Sequence, residues 1–225
     1  MRITIKASSG SDTVTIYPVD AGTYQLVEFG GDGLCLFNSI IGSLFYYKNK
    51  FGQSGTQTAI DSAKKAYTNG EITDYARTLK QNLQKVLRGP AKSEDDHARA
   101  NILDTTDWGA HYDLPELAET LFTVKDPNYL KAPKYTSVKI QAWAHQTNTT
   151  QPVLVGTGEY PRDKWISSDG NTTLSPSSND IDTQLTIRVW FYHSTKDVRV
   201  EHAEKTGGGH HYRAMFLNPS PKVKK

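Results

Sequence analysis

Residues 30–40 have the sequence GGDGLCLFNSI, and the character of the chain changes at this stretch. Before it, short alternating segments separated by polar turns predict β-strands, around 3–5, 14–17 and 26–27. After it, apolar residues recur at helical spacing and predict a buried helix that begins near Cys35 and ends before Gly52. The glycine-rich turn is therefore predicted to join a β-rich start to a helical middle.

After this junction, the pattern predicts a helical middle of the chain and a β-rich end. Helices are predicted over Ala59–Tyr67, Ile72–Leu87, from an N-cap at Ser93 through Leu103, and over Leu114–Phe122. Strands are predicted from Ser137, over Leu185–Phe191 and over Tyr212–Leu217, with a long loop or insertion over Gly156–Asp182. Strands, then helices, then strands indicate one α+β (mixed α/β) domain spanning 1–225.

Composition excludes several classes of protein. The 225 residues carry 26 basic and 24 acidic side chains, a net charge of +2, which gives no reason to expect a nucleic-acid or basic membrane binder. Neither a secretory signal nor a run of about 18 apolar residues is visible, so a soluble protein is expected. A single cysteine excludes a disulfide framework and favours a reducing, cytoplasmic compartment.

Cys35 is the most informative residue of the sequence. It follows the glycine-rich turn and opens the predicted helix, where the helix dipole favours a thiolate. A glycine-rich turn also lets backbone amides approach an oxyanion closely. These are the two requirements of a nucleophilic cysteine, although a buried structural cysteine beside a turn fits the same pattern.

A cysteine nucleophile requires an imidazole, and the chain has seven histidines. His210 and His211 follow three glycines, Gly207–Gly209, and precede a predicted strand, so they could project into a cleft or simply lie on a surface turn. No HExxH or CxxC spacing occurs, so neither a metal nor another cofactor is expected.

At three places the sequence resembles the ovarian-tumour (OTU) family of cysteine proteases. Residues 31–40 resemble the family's Asp-Gly-x-Cys signature, Trp108-Gly109 and the following Leu114–Ala118 resemble its Trp-Gly block and helix, and His211-Tyr212 resembles its catalytic His-aromatic pair. The blocks occur in the family's order and span 31–216. The divergent remainder favours an outlying member, such as a bacterial or viral effector acting in a host cytosol.

The resemblance implies a papain-like OTU fold, with a central β-sheet flanked by helices, and hydrolysis of ubiquitin linkages. It makes Cys35 the nucleophile and His211, rather than the rival His210, the general base and acid. Asp32 matches the family's acidic residue, and its loop is expected to supply oxyanion amides. The residues expected to bind substrate are Gly33, Leu34, Trp108, Gly208, Gly209 and Tyr212, with Trp108 and the glycine loop as walls of a cleft narrow enough for the two terminal glycines of ubiquitin.

The chain departs from the family two residues after the histidine. Many members have Asp or Asn there to orient the imidazole, whereas this chain has Arg213, which cannot accept a hydrogen bond. The orienting group must then come from elsewhere, or the site works as a dyad. Four candidates follow from the sequence, which does not choose among them: Asp32, Glu28, Asp20 and Asn218.

The expected partners are ubiquitin or polyubiquitin chains, with no nucleic acid, no membrane and a monomeric state. Two other functions fit the same residues: an inactive OTU-like module that holds ubiquitin without cutting it, and a thiol protease or transferase that acts on another substrate. Retention of both Cys35 and His211 speaks against the inactive module.

Overall fold

The computed structural model describes residues 3–6, 13–19, 22–30, 33–51, 56–105, 109–124, 136–145, 152–161, 184–193 and 210–218. Three strands come first: β1 (Ile3–Lys6), β2 (Thr13–Val19) and β3 (Gly22–Val27). The helices described after them are α1 (Cys35–Phe51), α2 (Thr56–Thr68), α3 (Glu71–Leu87), α4 (Glu94–Thr105) and α5 (Leu114–Thr123). A 3₁₀ turn, His111–Asp113, precedes α5, and the strands described after α5 are β4 (Ser137–His145), β5 (Pro152–Tyr160), β6 (Gln184–His193) and β7 (His210–Asn218). The predicted α+β class and its order of strands, helices and strands are confirmed.

The described strands form a mixed sheet in the order β1-β2-β3-β7-β6-β4-β5. Only β4 and β6 run parallel, and every other neighbouring pair is antiparallel. The last strand, β7, therefore lies in the middle of the sheet, between β3 and β6. Its register with β3 places Val27 opposite Ala214, so the residue that follows β3 lies beside the start of β7.

The helices form a layer against one set of alternating sheet residues. Helix α1 packs on β6 and β7, α5 packs on β4 and β5, and α3 contacts both α1 and α5. The core includes alternate residues of the central strands: Val138, Ile140, Ala142, Leu185, Ile187, Val189, Tyr212, Ala214 and Phe216. This two-residue period is the one expected of strands that bury one face against helices.

The connection from β3 to α1 is fixed by packing. Phe29 follows β3 and is fully buried, and its ring lies so close to Gly42 of α1 that a Cβ there would come within 2.3 Å of it. Only glycine allows this approach between ring and helix. The chain leaving β3 is thereby held against the helix that carries Cys35.

One prediction about the chain's organisation is wrong in part. The long loop predicted over Gly156–Asp182 begins inside β5, because Gly156–Tyr160 pair with β4. Gly158 is required there by the helix layer, since a Cβ on it would lie 2.1 Å from the backbone carbonyl of Leu114. The glycines of this segment are typical of a loop in the sequence, but in the structure they let a neighbouring backbone approach a strand. Residues 162–182 of that segment lie outside the described part of the chain.

Candidate active site

Cys35 is the first residue of α1, as predicted. Gly33 precedes it with φ 85°, a left-handed conformation that glycine adopts without strain. The first turn of the helix is formed by a hydrogen bond of 2.7 Å from the Asn38 N–H to the Leu34 carbonyl. This turn contains no acidic residue. The positive end of the helix dipole therefore acts on the Cys35 sulfur without an opposing carboxylate in that turn. The thiol is unbridged and only 3% of the residue is exposed.

The His211 imidazole contacts two groups that could act with it. Its Nε2 atom lies 2.8 Å from Glu28 Oε2, and its ring is also hydrogen-bonded to the Cys35 side chain. Because an imidazole has two nitrogens and Nε2 faces the carboxylate, Nδ1 is the nitrogen left for the thiol. The structure thus brings together a thiol, an imidazole and a carboxylate from three separate elements.

The electrostatics of His211 favour its protonated form. Burial by itself lowers the pKa of the imidazole, but the hydrogen bonds to Cys35 and Glu28 and the negative charge of these partners raise it to about 9. At neutral pH the ring therefore carries a proton and faces the sulfur as a cation. A cation in this position stabilises a thiolate, which is the reactive form of cysteine.

A buried hydrogen bond fixes α1 to β7 next to these groups. The Ser39 hydroxyl, one helical turn after Cys35, donates to the backbone carbonyl of Tyr212 at 3.2 Å. Tyr212 is the neighbour of His211 on β7, so this bond fixes the helix start relative to the strand start. The sulfur and the imidazole are held in place by secondary structure rather than by a loop.

The segment from Gly109 to Asp113 packs against the start of α1. A Cβ on Gly109 would lie 2.8 Å from Leu36 Cδ2, so this segment passes directly over the helix. Asp113 holds it in place by accepting the Ala110 N–H at 2.7 Å and two bonds from Arg99, at 2.7 and 2.6 Å. His111 of this segment is partly buried, and burial lowers the pKa of its imidazole, so this second histidine is neutral at neutral pH.

The other expected site residues have different positions. Leu34 and Tyr212 are buried in the core, 3% and 1% exposed. Leu34 can therefore contact a substrate only through its backbone. The Tyr212 ring packs in the core, 5.2 Å from the ring of Phe191. Gly33 is buried in the turn before Cys35. His210 begins β7. Four expected site residues, Asp32, Trp108, Gly208 and Gly209, lie outside the described part of the chain, as does the orienting candidate Asp20.

Of the four candidates for the orienting group, Glu28 is the one that the described structure brings to the imidazole. Asn218 lies seven residues along β7 from His211, which corresponds to more than about 20 Å in an extended strand. Glu28 reaches His211 because it directly follows β3, the neighbour of β7. The sequence could not choose it, because that neighbourhood depends on how the first and last thirds of the chain pair.

Other kinds of site are less well supported. Within the described residues, no group of three or more His, Cys, Asp or Glu side chains is arranged to hold a metal ion. None of the described helices combines the length and apolarity needed to cross a bilayer. No protein-family model, curated protein or solved structure matches this chain. The contacts among the Cys35, His211 and Glu28 side chains are therefore the structural feature that bears on chemistry at this site.

Proposed function

We propose that this protein is a cysteine-dependent hydrolase of the OTU type that cleaves peptide or isopeptide bonds at the C-terminal glycine of ubiquitin. The observation that carries the proposal is the hydrogen-bonded series Cys35–His211–Glu28, whose histidine and glutamate are 183 positions apart in sequence. A nucleophile, a base in contact with it and a third group that orients the base form an arrangement that recurs in acyl-transfer enzymes.

In the first half of the proposed reaction the Cys35 thiolate attacks the carbonyl carbon of the scissile bond and forms a tetrahedral oxyanion. Backbone amides of the glycine-rich segment before Cys35 and of the first turn of α1 are the proposed donors for that oxyanion, and such donors each contribute on the order of 3 kcal/mol in acyl-transfer enzymes. The His211 imidazolium gives its proton to the departing amine, which leaves an acyl group bonded to the sulfur.

In the second half, neutral His211 takes a proton from water, and the resulting hydroxide attacks the thioester carbonyl. Collapse of this intermediate releases the carboxylic acid and regenerates the thiolate and the imidazolium. Glu28 keeps Nε2 as the donor to its carboxylate throughout, so that Nδ1 faces the sulfur in both half-reactions.

The substrate and family are proposed from the sequence resemblance. The Gly-Asp-Gly-Leu-Cys stretch, the Trp-Gly block and the His-Tyr pair are the features that make ubiquitin the substrate to test first. A papain-like fold and a site of action in the cytosol belong to the same proposal. A cysteine that opens a helix and a histidine on a central strand of a mixed sheet are compatible with it.

A ubiquitin derivative with a C-terminal alkyne electrophile tests the proposal directly. We expect covalent capture, seen as a mass increase of one ubiquitin, with the adduct on Cys35, the only cysteine of the chain. Cys35→Ala should abolish capture and the cleavage of diubiquitins of all linkages while retaining ubiquitin binding. His211→Ala should slow both reactions at least about 100-fold, as loss of a general base does, whereas His210→Ala is the matched control and should have a small effect.

The other outcomes of this experiment identify the alternatives. Non-covalent ubiquitin binding without capture or cleavage would indicate an inactive ubiquitin-binding module. No engagement of ubiquitin would indicate a thiol enzyme for another substrate. Capture by Cys35→Ala would reject the proposed nucleophile.

A further inference from the structure

We propose that Arg213 is a positioning residue that holds the Glu28 carboxylate against His211. Arg213 occupies the position where the resemblance leads one to expect a hydrogen-bond acceptor for the imidazole. The catalytic role of His211 in this inference rests on the proposed function. The contacts of Arg213, Glu28 and His211 are features of the folded protein and do not depend on that function.

Arg213 and His211 converge on one oxygen of Glu28. Arg213 Nε donates to Glu28 Oε2 at 2.6 Å, and His211 Nε2 lies 2.8 Å from the same atom. The other oxygen, Oε1, is buried and receives no hydrogen bond from any residue that the structure describes. Among the described residues, the Arg213 contact is therefore the hydrogen bond, other than the one from His211, that holds the carboxylate in place.

Burial makes Arg213 the fixed partner and Glu28 the movable one. The Arg213 side chain is 4% exposed, whereas that of Glu28 is 30% exposed. A guanidinium enclosed in the sheet has little freedom, and its planar donors require a partner in a defined orientation. A carboxylate at the end of a strand, with a path to solvent, would rotate towards water if the guanidinium were removed.

The sheet explains why these residues meet. His211 and Arg213 are two apart on β7 and so project from the same face of the strand. Glu28 follows Val27, which pairs with Ala214, and this register brings the Glu28 side chain to the same part of the neighbouring strand. Arg213 thus takes the position of an orienting group on β7 and orients a carboxylate supplied by the adjacent strand.

Two effects of Arg213 on His211 have opposite signs. Three groups with charge or hydrogen-bonding capacity lie near the His211 imidazole. They are Cys35 on α1, Glu28 directly after β3, and Arg213, which is on β7 together with His211. Through space, the guanidinium disfavours imidazolium, and its removal would raise the pKa of His211. By holding Glu28 in contact, it favours imidazolium, and its removal would lower that pKa. The two roles therefore predict opposite shifts.

The test is an NMR titration of the full chain labelled with ¹⁵N-histidine, with the His211 ring signals assigned by their loss in His211→Gln. We expect Arg213→Gln to lower the pKa of His211 by at least about one pH unit from its value near 9. Arg213→Lys keeps the positive charge but lacks Nε and its planar geometry, and it should lower the pKa by a smaller amount. In a Glu28→Gln background, Arg213→Gln should cause no further decrease.

Several results would overturn the proposal. They are a raised or unchanged His211 pKa in Arg213→Gln, an unchanged pKa in Arg213→Lys, and an additional decrease in the double variant. Lys92→Gln, which removes a partly buried cation that pairs with Glu119 away from the site, is the control and should leave the His211 titration in place. If Arg213→Gln does not fold, the Arg213→Lys result and the double variant, which removes both charges, still decide the question. Because the titration uses no substrate, its outcome is independent of whether ubiquitin is cleaved.

Discussion

Glu28 is a main reason why the His211 imidazole is protonated at neutral pH. Its carboxylate is the group that offsets the cost of burying a charged imidazole, because it accepts a hydrogen bond from His211 and lies opposite its charge. An amide in the same place would keep an acceptor but lose the negative charge. A Glu28→Gln substitution can therefore test the effect of the negative charge on His211 while a hydrogen-bond acceptor is kept.

We predict that Glu28→Gln shifts the pH dependence of hydrolysis. In the proposed mechanism His211 gives a proton to the leaving amine, so wild-type activity should fall on the alkaline side near pH 9, where His211 loses that proton. Without the carboxylate the imidazolium is less stable, so this alkaline limb should move to lower pH by about one unit or more. A pH profile of kcat/KM for ubiquitin substrates measures the shift.

Glu159→Gln provides the control for the Glu28 experiment. Glu159 is a carboxylate of the same sheet that pairs with Lys139 at 3.3 Å and has no contact with His211 among the described residues. The alkaline limb of the pH profile of Glu159→Gln should coincide with that of the wild type. An unshifted limb in Glu28→Gln would mean that the carboxylate does not act on His211 in solution.

The sequence allowed the meeting of the Cys35 and His211 side chains to be predicted, but it did not choose the carboxylate that contacts the imidazole. The cysteine and the histidine each have a local pattern, a glycine-rich turn before a helix and a His-aromatic pair before a strand. Glu28 has no such pattern, since its role depends on the pairing of β3 with β7, more than 180 positions apart. Arg213 could be recognised as a departure from the family, but its effect depends on the same long-range register.

Among the elements, β5 shows how a helix layer constrains a strand. Leu154, Gly156 and Gly158 alternate along β5 and are all buried. The start of α5 lies against the two glycines, which leave room for it because they have no side chains. The strand therefore lacks the alternating apolar residues by which a strand is normally predicted. The helices, by contrast, could be predicted over Ile72–Leu87 and Leu114–Phe122 because their apolar periodicity is local in sequence.

We predict that Gly158→Ala is much more destabilising than Gly70→Ala. A Cβ at 158 would lie 2.1 Å from the Leu114 backbone, and neither backbone can yield without separating α5 from the sheet. Gly70 has φ +84° but nothing within 4 Å of its Cβ position, so alanine there costs only the left-handed strain of roughly 1–2 kcal/mol. Gly158→Ala should cost more than about 3 kcal/mol, in the range of severe overpacking.

Urea unfolding followed by circular dichroism compares the two alanine variants. The midpoint for Gly158→Ala should lie well below that for Gly70→Ala, or the variant should be unfolded without urea. Equal midpoints would show that α5 does not contact β5 in solution as closely as the structure has it.

The site depends on the pairing of two strands that are far apart in sequence, β3 and β7. Strand β7, near the C-terminal end, inserts between β3 and β6 and lies beneath α1. The α+β class could be predicted because the order of strands, helices and strands is written along the sequence. The strand order could not, because it depends on pairings between distant segments that no local pattern specifies.

Because His211 belongs to this central strand, its ionisation is linked to folding of the whole molecule. The pKa of His211 is about 9 in the folded protein, against 6.5 for an unperturbed imidazole. The folded state therefore binds the proton more tightly than the unfolded chain. The resulting stabilisation is fully present below pH 6.5 and is lost as pH rises through 9.

We predict that the free energy of unfolding declines between pH 7 and 9, with His211 contributing up to about 1.4 kcal/mol per pH unit, the limit for one proton. His211→Gln should remove this contribution, so that the wild type and the variant approach each other in stability as the pH rises. His97→Gln, which changes an exposed imidazole on α4, is the control and should retain the decline. Urea unfolding at half-unit pH intervals measures all three proteins. A constant stability difference between wild type and His211→Gln across this range would mean that the imidazole does not gain a proton-stabilising environment on folding, and the Cys35–His211–Glu28 arrangement would then not exist in solution.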